Sequence, residues 1–165
     1  MKYAVVYTSQ TGNTAQLADA IAAALPAGSC GYCGTPNPEA AAAEVIFAGF
    51  WTDKGSCDAA MAAFLAGLCD KPVFLFGTAG FGGDPAYFAQ ILERVAANLG
   101  PGCRVVGQYM CQGKMPMAVR ARYAAMAQQE PEKFQPMLDN FDRALAHPDE
   151  ADLAGAAAAV LACLP

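Results

Sequence analysis

"YTSQTGNTAQLADAI", residues 7–21, joins an apolar run, Tyr3–Tyr7, to a segment whose apolar side chains recur at helical spacing. Between the two lies "TSQTGNT", Thr8–Thr14, where every residue except Gly12 carries a hydroxyl or an amide. The first amides of a helix are unpaired and positively polarised, so an anion placed there satisfies them. Thr8, Ser9, Thr11 and Thr14 offer hydroxyl donors beside Gln10 and Asn13, and Gly12 lets the backbone approach a ligand closely. The loop has no lysine. A nucleoside triphosphate loop would carry Lys followed by Ser or Thr, and a dinucleotide fingerprint would carry three glycines. Neutral donors suit one monoester phosphate. A Ser/Thr-rich turn capped by Asn13 or Thr14 is the simpler use of the same residues.

Outward from this loop, short apolar runs alternate with helical stretches, the pattern of a parallel sheet covered on both faces. The strands are expected at Lys2–Tyr7, within Ser29–Cys33, and at Glu44–Phe50, Pro72–Gly77 and Cys103–Tyr109. Helices are expected at Thr14–Leu25, Cys57–Cys69 and Pro85–Leu99, then at about Ala118–Gln129, Pro136–Ala146 and Pro148–Leu164. Asp84 before Pro85 marks a helix start, and Gly100-Pro101-Gly102 a stop. The chain is too short for an eightfold βα barrel, so the prediction is an α/β fold: a doubly wound five-stranded sheet, order 2-1-3-4-5, with extra C-terminal helices. Ligands of such sheets sit beyond the strands' carboxyl ends at the switch point between the first and third strands. Three loops converge there: Thr8–Thr14, Trp51–Ser56 and Thr78–Asp84.

The 165 residues fit one domain, 1–165, with 55% hydrophobic against 15% charged residues, which excludes a disordered chain. The net charge of −5 argues against nucleic acid as a partner. No apolar stretch approaches the ~20 residues of a membrane span, and Thr8, Ser9 and Gln10 interrupt the N-terminal run too early for a signal peptide. Seven irregularly spaced cysteines suit a reducing cytoplasm better than a disulfide framework.

Ser9-Gln10-Thr11-Gly12-Asn13-Thr14 matches Thr/Ser-x-Thr-Gly-x-Thr, and through it the chain resembles the flavodoxin family as far as about Tyr109. The resemblance implies that this loop holds the phosphate of FMN without a cationic side chain. Beyond Tyr109, "CQGKMPMAVRARYAAM" and "NFDRALAHPDEADL" resemble a flavodoxin-like subfamily found largely in anaerobic bacteria, some of whose members partner reductases of pigments such as bilins.

A flavin ring needs an aromatic slab on each face, each contributing ~0.5–1.5 kcal/mol beyond area burial. Trp51, the only tryptophan, is the first candidate, with Thr52 beside it. Gly83-Asp84-Pro85-Ala86-Tyr87 resembles the family's Gly-Asp-x-x-Tyr, which nominates Tyr87 for the second slab, while Phe81 competes on loop position and Tyr87 could also pack inward. Thr78, Ala79, Gly80 and Asp84 complete the candidate site. Glycines 77, 80, 82 and 83 fit a loop wrapped round a flat ligand better than packing. Many flavodoxins place glycine after the stacking tryptophan, whereas here Thr52 follows and Gly55 is the nearest glycine.

Lys114, after the fifth strand, could approach the ring's pyrimidine edge, where a cation raises the potential; a solvated lysine or one docking an acidic partner is the plainer use. No acid lies between Arg94 and Gln129, a span with Arg104, Lys114, Arg120 and Arg122, which makes it a candidate partner surface or a phosphate-side field.

Cys30-Gly31-Tyr32-Cys33 raises a thiol–disulfide enzyme as a rival, but it runs into glycine and proline rather than opening a helix. No second cysteine or histidine pair completes a metal site, and His147 before Pro148 reads as a turn residue. A phosphoacceptor domain would need acids after the first strand, where Thr8 and Ser9 stand. No catalytic side chain is assigned. The expectation is an FMN-dependent electron carrier working with redox partner proteins, with an NAD(P)H-dependent FMN reductase acting on a quinone or similar acceptor as the alternative.

Overall fold

The apolar runs at Tyr3–Tyr7, Val45–Trp51 and Pro72–Ala79 become the middle of a sheet. In the computed structural model, which describes residues 1–165, the strands are β1 (Tyr3–Tyr7), β2 (Cys30–Gly34), β3 (Val45–Trp51), β4 (Pro72–Ala79) and β5 (Arg104–Gln112). All pair in parallel, in the order β2-β1-β3-β4-β5. β1, β3 and β4 are buried along almost their whole length, whereas the edge strands β2 and β5 are only partly covered. That difference follows from crossover helices on both faces, which hide central strands and leave edges wet.

The helices are α1 (Asn13–Ala24), α2 (Ala59–Ala66), α3 (Pro85–Ala96), α4 (Met117–Ala127), α5 (Pro131–Ala144) and α6 (Glu150–Leu161), with a 3₁₀ turn at Pro38–Ala42. On one face, Val6, Ile46, Phe50 and Leu75 pack with Met61 and Leu65 of α2 and Ile91 and Val95 of α3. On the other, Val5, Phe47 and Phe76 pack with Leu17 and Ile21 of α1 and Val160 of α6. Each such side chain, once buried, contributes about 1.5–3 kcal/mol. No helix is long and apolar enough to cross a membrane.

Two glycines are set by this packing. Gly49 pairs with Phe76 and Phe50 with Gly77 across β3 and β4. A Cβ on Gly49 would lie 2.3 Å from the Phe76 ring, and one on Gly77 would lie 2.5 Å from Phe50. The sequence reading, which took Gly77 for a ligand loop, is corrected: it is a strand residue lying against the Phe50 ring. Gly80 and Gly82 are also packing positions, since a Cβ would meet Met115 Sδ at 2.5 Å and Gln112 Cδ at 2.7 Å. Only Gly83, with φ +82° and nothing near it, keeps a purely conformational role.

Boundaries differ from expectation for local reasons. β3 runs on through Trp51 and β5 through Gln112. α2 is confined between Asp58 and Gly67. α3 stops near Asn98, whose amide donates to the carbonyls of Arg94 and Val95. α5 starts at Pro131 rather than Pro136, because Phe134, Leu138 and Phe141 already form its buried stripe. Asp149 and Asp152 form a reciprocal capping box that starts α6. "NPEAAA" becomes the 3₁₀ turn: Asn37 accepts the Glu39 amide at 2.9 Å.

Candidate functional site

The carboxyl ends of β1, β3 and β4 bring the three expected loops together, and Thr78 ties them. Its hydroxyl lies 3.0 Å from that of Thr14. Its carbonyl accepts both the Thr52 amide, at 3.0 Å, and the Thr52 hydroxyl, at 2.8 Å.

At the start of α1, Gly12 has φ +86°, the left-handed conformation that glycine adopts without strain. From Ser9 to Thr14 no backbone amide meets an acceptor in the fold. The Ala15 amide is 3.4 Å from Ser9 Oγ, and the helical ladder begins with Gln16 bonded to Gly12 O at 3.2 Å. A Cβ on Gly12 would touch nothing within 4 Å, so the space before these amides is open. Three of the four hydroxyls are engaged elsewhere, Thr11 with Lys114 O at 3.4 Å. Thr8 donates to Asp58 Oδ1 at 2.6 Å, a carboxylate being the strongest acceptor within reach, and Thr14 sits in the buried pair with Thr78. The main chain is therefore the principal donor set.

Asn13 is 6% exposed and holds the segment after β5 against this loop. Its Nδ2 donates to Lys114 O at 2.8 Å, and a Cβ on Gly113 would be 2.5 Å from that nitrogen. Thr11 Oγ1 lies 3.4 Å from the same carbonyl, and the Lys114 amide donates to His147 O at 3.0 Å. Asn13 Oδ1 is buried and has no partner in the fold, the mark of an acceptor waiting for a donor. The Lys114 backbone thus stands against the α1 loop, while the residue itself is exposed.

These elements enclose a cleft of about 190 Å³. Gln10, Thr11 and Asn13 line it from the α1 loop, Trp51 and Thr52 from β3, and Thr78, Ala79 and Gly80 from β4. Gly113, Lys114, Met115, Pro116 and Val119 line it from beyond β5. Its size is below the ~300–1,000 Å³ of sites that enclose a drug-sized ligand, so a mononucleotide would lie partly outside. Lys114 is its only charged lining residue. A wider apolar groove of about 380 Å³, between the 3₁₀ turn and α2, holds no convergent polar groups.

Thr8, Ser9, Gly12, Thr14, Phe81, Asp84 and Tyr87 do not line the cleft. Asp84 caps α3, accepting the Ala86 amide at 2.9 Å. Tyr87 packs on the core beside Phe88, and burial raises its phenol pKa. Phe81 is 36% exposed at the surface. The wall nearest Gly80 is instead Met115, a polarisable side chain that packs against flat rings. Met115, Pro116 and Val119 were missed in the sequence, although they flank Lys114 in the segment already assigned to the same rim.

Gly80 is held from above. Its carbonyl accepts Gln112 Nε2 at 2.9 Å and Asn140 Nδ2 at 3.0 Å, and Gln112 Nε2 also lies 3.0 Å from Asn140 Oδ1. Through Asn140, α5 anchors the loop after β4.

The rival centres lack their geometry. Gly31 is an extra residue in the β1–β2 register, which brings Cys30 opposite Tyr3 and Cys33 opposite Val5, on one face. Burial and the neighbouring Cys30 and Asp19 push the Cys33 thiol pKa up, the reverse of an activated thiol. His147 Nδ1 is 2.6 Å from Asp152 Oδ2, within the turn that starts α6, and both acids there are occupied by the capping box.

A five-stranded 2-1-3-4-5 sheet with a run of unpaired amides and a tryptophan at its switch point is the architecture of the flavodoxins, a class of flavin-type redox proteins. The family described as flavodoxin domain matches residues 4–161, and the chain belongs to it. The flavodoxin-like domain-containing protein BilS of Clostridium symbiosum (strain WAL-14163) is 40% identical, over 93% of this chain and 91% of that protein. Its namesake from Clostridioides difficile (strain CD3) is 30% identical, over 93% and 90%. Among solved structures, oxidised Flavodoxin 2 from Bacillus cereus aligns with a TM-score of 0.56 at 18% identity, over 99% of this chain and 97% of that one. The WrbA-like flavodoxin from Agrobacterium tumefaciens gives 0.53 at 16%, over 98% and 96%; both likenesses concern the fold alone.

Proposed function

We propose that the protein binds FMN in this cleft and passes electrons to a partner reductase. The observation that carries the reading is the run of unpaired amides from Ser9 to Thr14 beside a cleft lined by the only tryptophan. Those amides hold a phosphate, and Lys114 is the only charged residue lining the cleft. Trp51 offers an aromatic face, and Met115 and Val119 exclude water from the opposite side. Bound FMN supplies the one- and two-electron chemistry. No lining side chain is a nucleophile or an acid–base pair, so the protein's part is to bind, orient and expose. The seven free thiols suit a reducing compartment, consistent with a cytoplasmic carrier.

The test is spectroscopic. Purified protein saturated with FMN and desalted should stay yellow. Adding NADPH alone should leave the band unchanged, and adding a flavodoxin reductase with it should bleach the band. Colourless protein contradicts the binding; bleaching by NADPH alone contradicts the carrier role and makes the protein an NAD(P)H-dependent enzyme.

A further inference from the structure

α4 carries apolar residues on the side that faces solvent. Its exposed positions are Met117, Ala118, Ala121, Arg122, Ala125 and Met126, which recur at i, i+4 and i+8 as one stripe, and no residue of the helix is buried. Met117 is 63% and Met126 41% exposed. Arg120, by contrast, turns toward α5, where Asp142 holds it at 2.8 Å. A free surface helix has the opposite arrangement, polar side out. Methionines adapt to a partner's shape, and alanines between them let its backbone come close.

The charges on this stripe limit its occupant. Arg122 lies in the middle and Lys114 just before the helix, and neither is in an ion pair. Of the three acids on neighbouring α5, Asp142 is taken by Arg120, Asp139 accepts from Gln135 at 3.0 Å, and Glu132 lies in the helix's first turn, in no ion pair. A second copy fits poorly. Two-fold antiparallel pairing about the stripe's centre, between Ala121 and Arg122, would set two guanidinium groups side by side with no acid on either stripe. The stripe is roughly 16 Å long at about 1.5 Å per residue. A contact that small belongs with electron-transfer encounters, under ~1,200 Å². Val119, on the same helix at the margin of this stripe, lines the cleft, so an occupant of the outer face sits beside it.

We propose that the outward face of α4 is the docking surface for an electron-transfer partner protein, which presents an apolar patch with a carboxylate opposite Arg122. This rests on reading the cleft as the flavin site. Docking places the partner beside the cleft that Val119 lines, and it gives a use to Arg122, which the cleft does not require.

The test pairs two haem proteins of opposite charge, acidic cytochrome b5 and basic cytochrome c, as acceptors from photoreduced FMN-loaded protein. Arg122→Glu should slow transfer to cytochrome b5 at least ~10-fold and Met126→Ser about 3-fold, with no slowing toward cytochrome c or an uncharged benzoquinone. Wild-type rates to cytochrome b5 in both variants would overturn the proposal. A wild-type protein that takes up no FMN fails the earlier reading instead, and docking is then read by titrating 15N-labelled protein with oxidised cytochrome b5. Shifts confined to Met117–Met126 support the surface; shifts only elsewhere, none at all, or a self-dimer abolished by Arg122→Glu overturn it.

Discussion

The hydroxyls of Thr14 and Thr78 lie 3.0 Å apart with both residues buried, so the first turn of α1 is bonded to the strand β4 that lines the cleft. Replacing one with valine keeps the shape and leaves the other hydroxyl unpaired in the core. Thr78→Val or Thr14→Val should each cost about 1–3 kcal/mol, and the double variant less than the sum. Urea unfolding of the three variants measures this; additive losses would mean that the two hydroxyls do not bond.

Gly77 and Phe50 make a second such pair. Gly77→Ala drives a methyl into the Phe50 ring and should cost about 1–3 kcal/mol, although alanine ordinarily suits a strand better than glycine. Adding Phe50→Leu should recover part of the loss. A Gly77→Ala protein as stable as wild type by thermal unfolding would remove packing as the reason for this glycine.

Stability at alkaline pH is tied to Tyr109, whose hydroxyl donates to Asp152 O at 2.8 Å. Burial, with smaller effects of Cys111, Asp152 and Asp149, pushes its pKa from 10.0 to about 12. A raised folded value contributes stability that is complete below the unfolded pKa and lost as pH rises through the folded one. Wild type should therefore weaken between about pH 10 and 12, and Tyr109→Phe should weaken less over that window, by urea midpoints at each pH.

At the acid end the sign reverses. The Asp152 amide, bonded to the Asp149 carboxylate, lowers the Asp149 pKa below 3.8, with His147 contributing. Its stabilisation is present above the unfolded pKa and lost as pH falls through the folded one. Asp149→Asn should be the less stable protein at pH 6, with the difference shrinking below about pH 4. A gap that stays constant down to pH 2.5 would contradict this account.

The sheet was legible because β1, β3 and β4 are unbroken apolar runs and "TSQTGNT" marks the first strand-to-helix turn. The α1 loop, Trp51 and Thr78–Gly80 could be placed at one end of the sheet from topology alone. What stayed hidden depends on side-chain direction. Nothing in the sequence says that Thr8 turns to Asp58, that Gly77 lies against Phe50, or that Met115 rather than Phe81 or Tyr87 reaches Gly80. Those contacts join residues far apart in the chain, and only the packed fold selects them.

The most direct test of the central claim is a fluorescence titration, since Trp51 is the only tryptophan. FMN should quench its emission saturably, one ligand per chain, at about 1 μM or below, and riboflavin, which lacks the phosphate, should bind at least ~100-fold more weakly. Equal affinity for the two, or no quenching by FMN, would contradict a site in which the amides of Ser9–Thr14 hold a phosphate while the ring rests by Trp51.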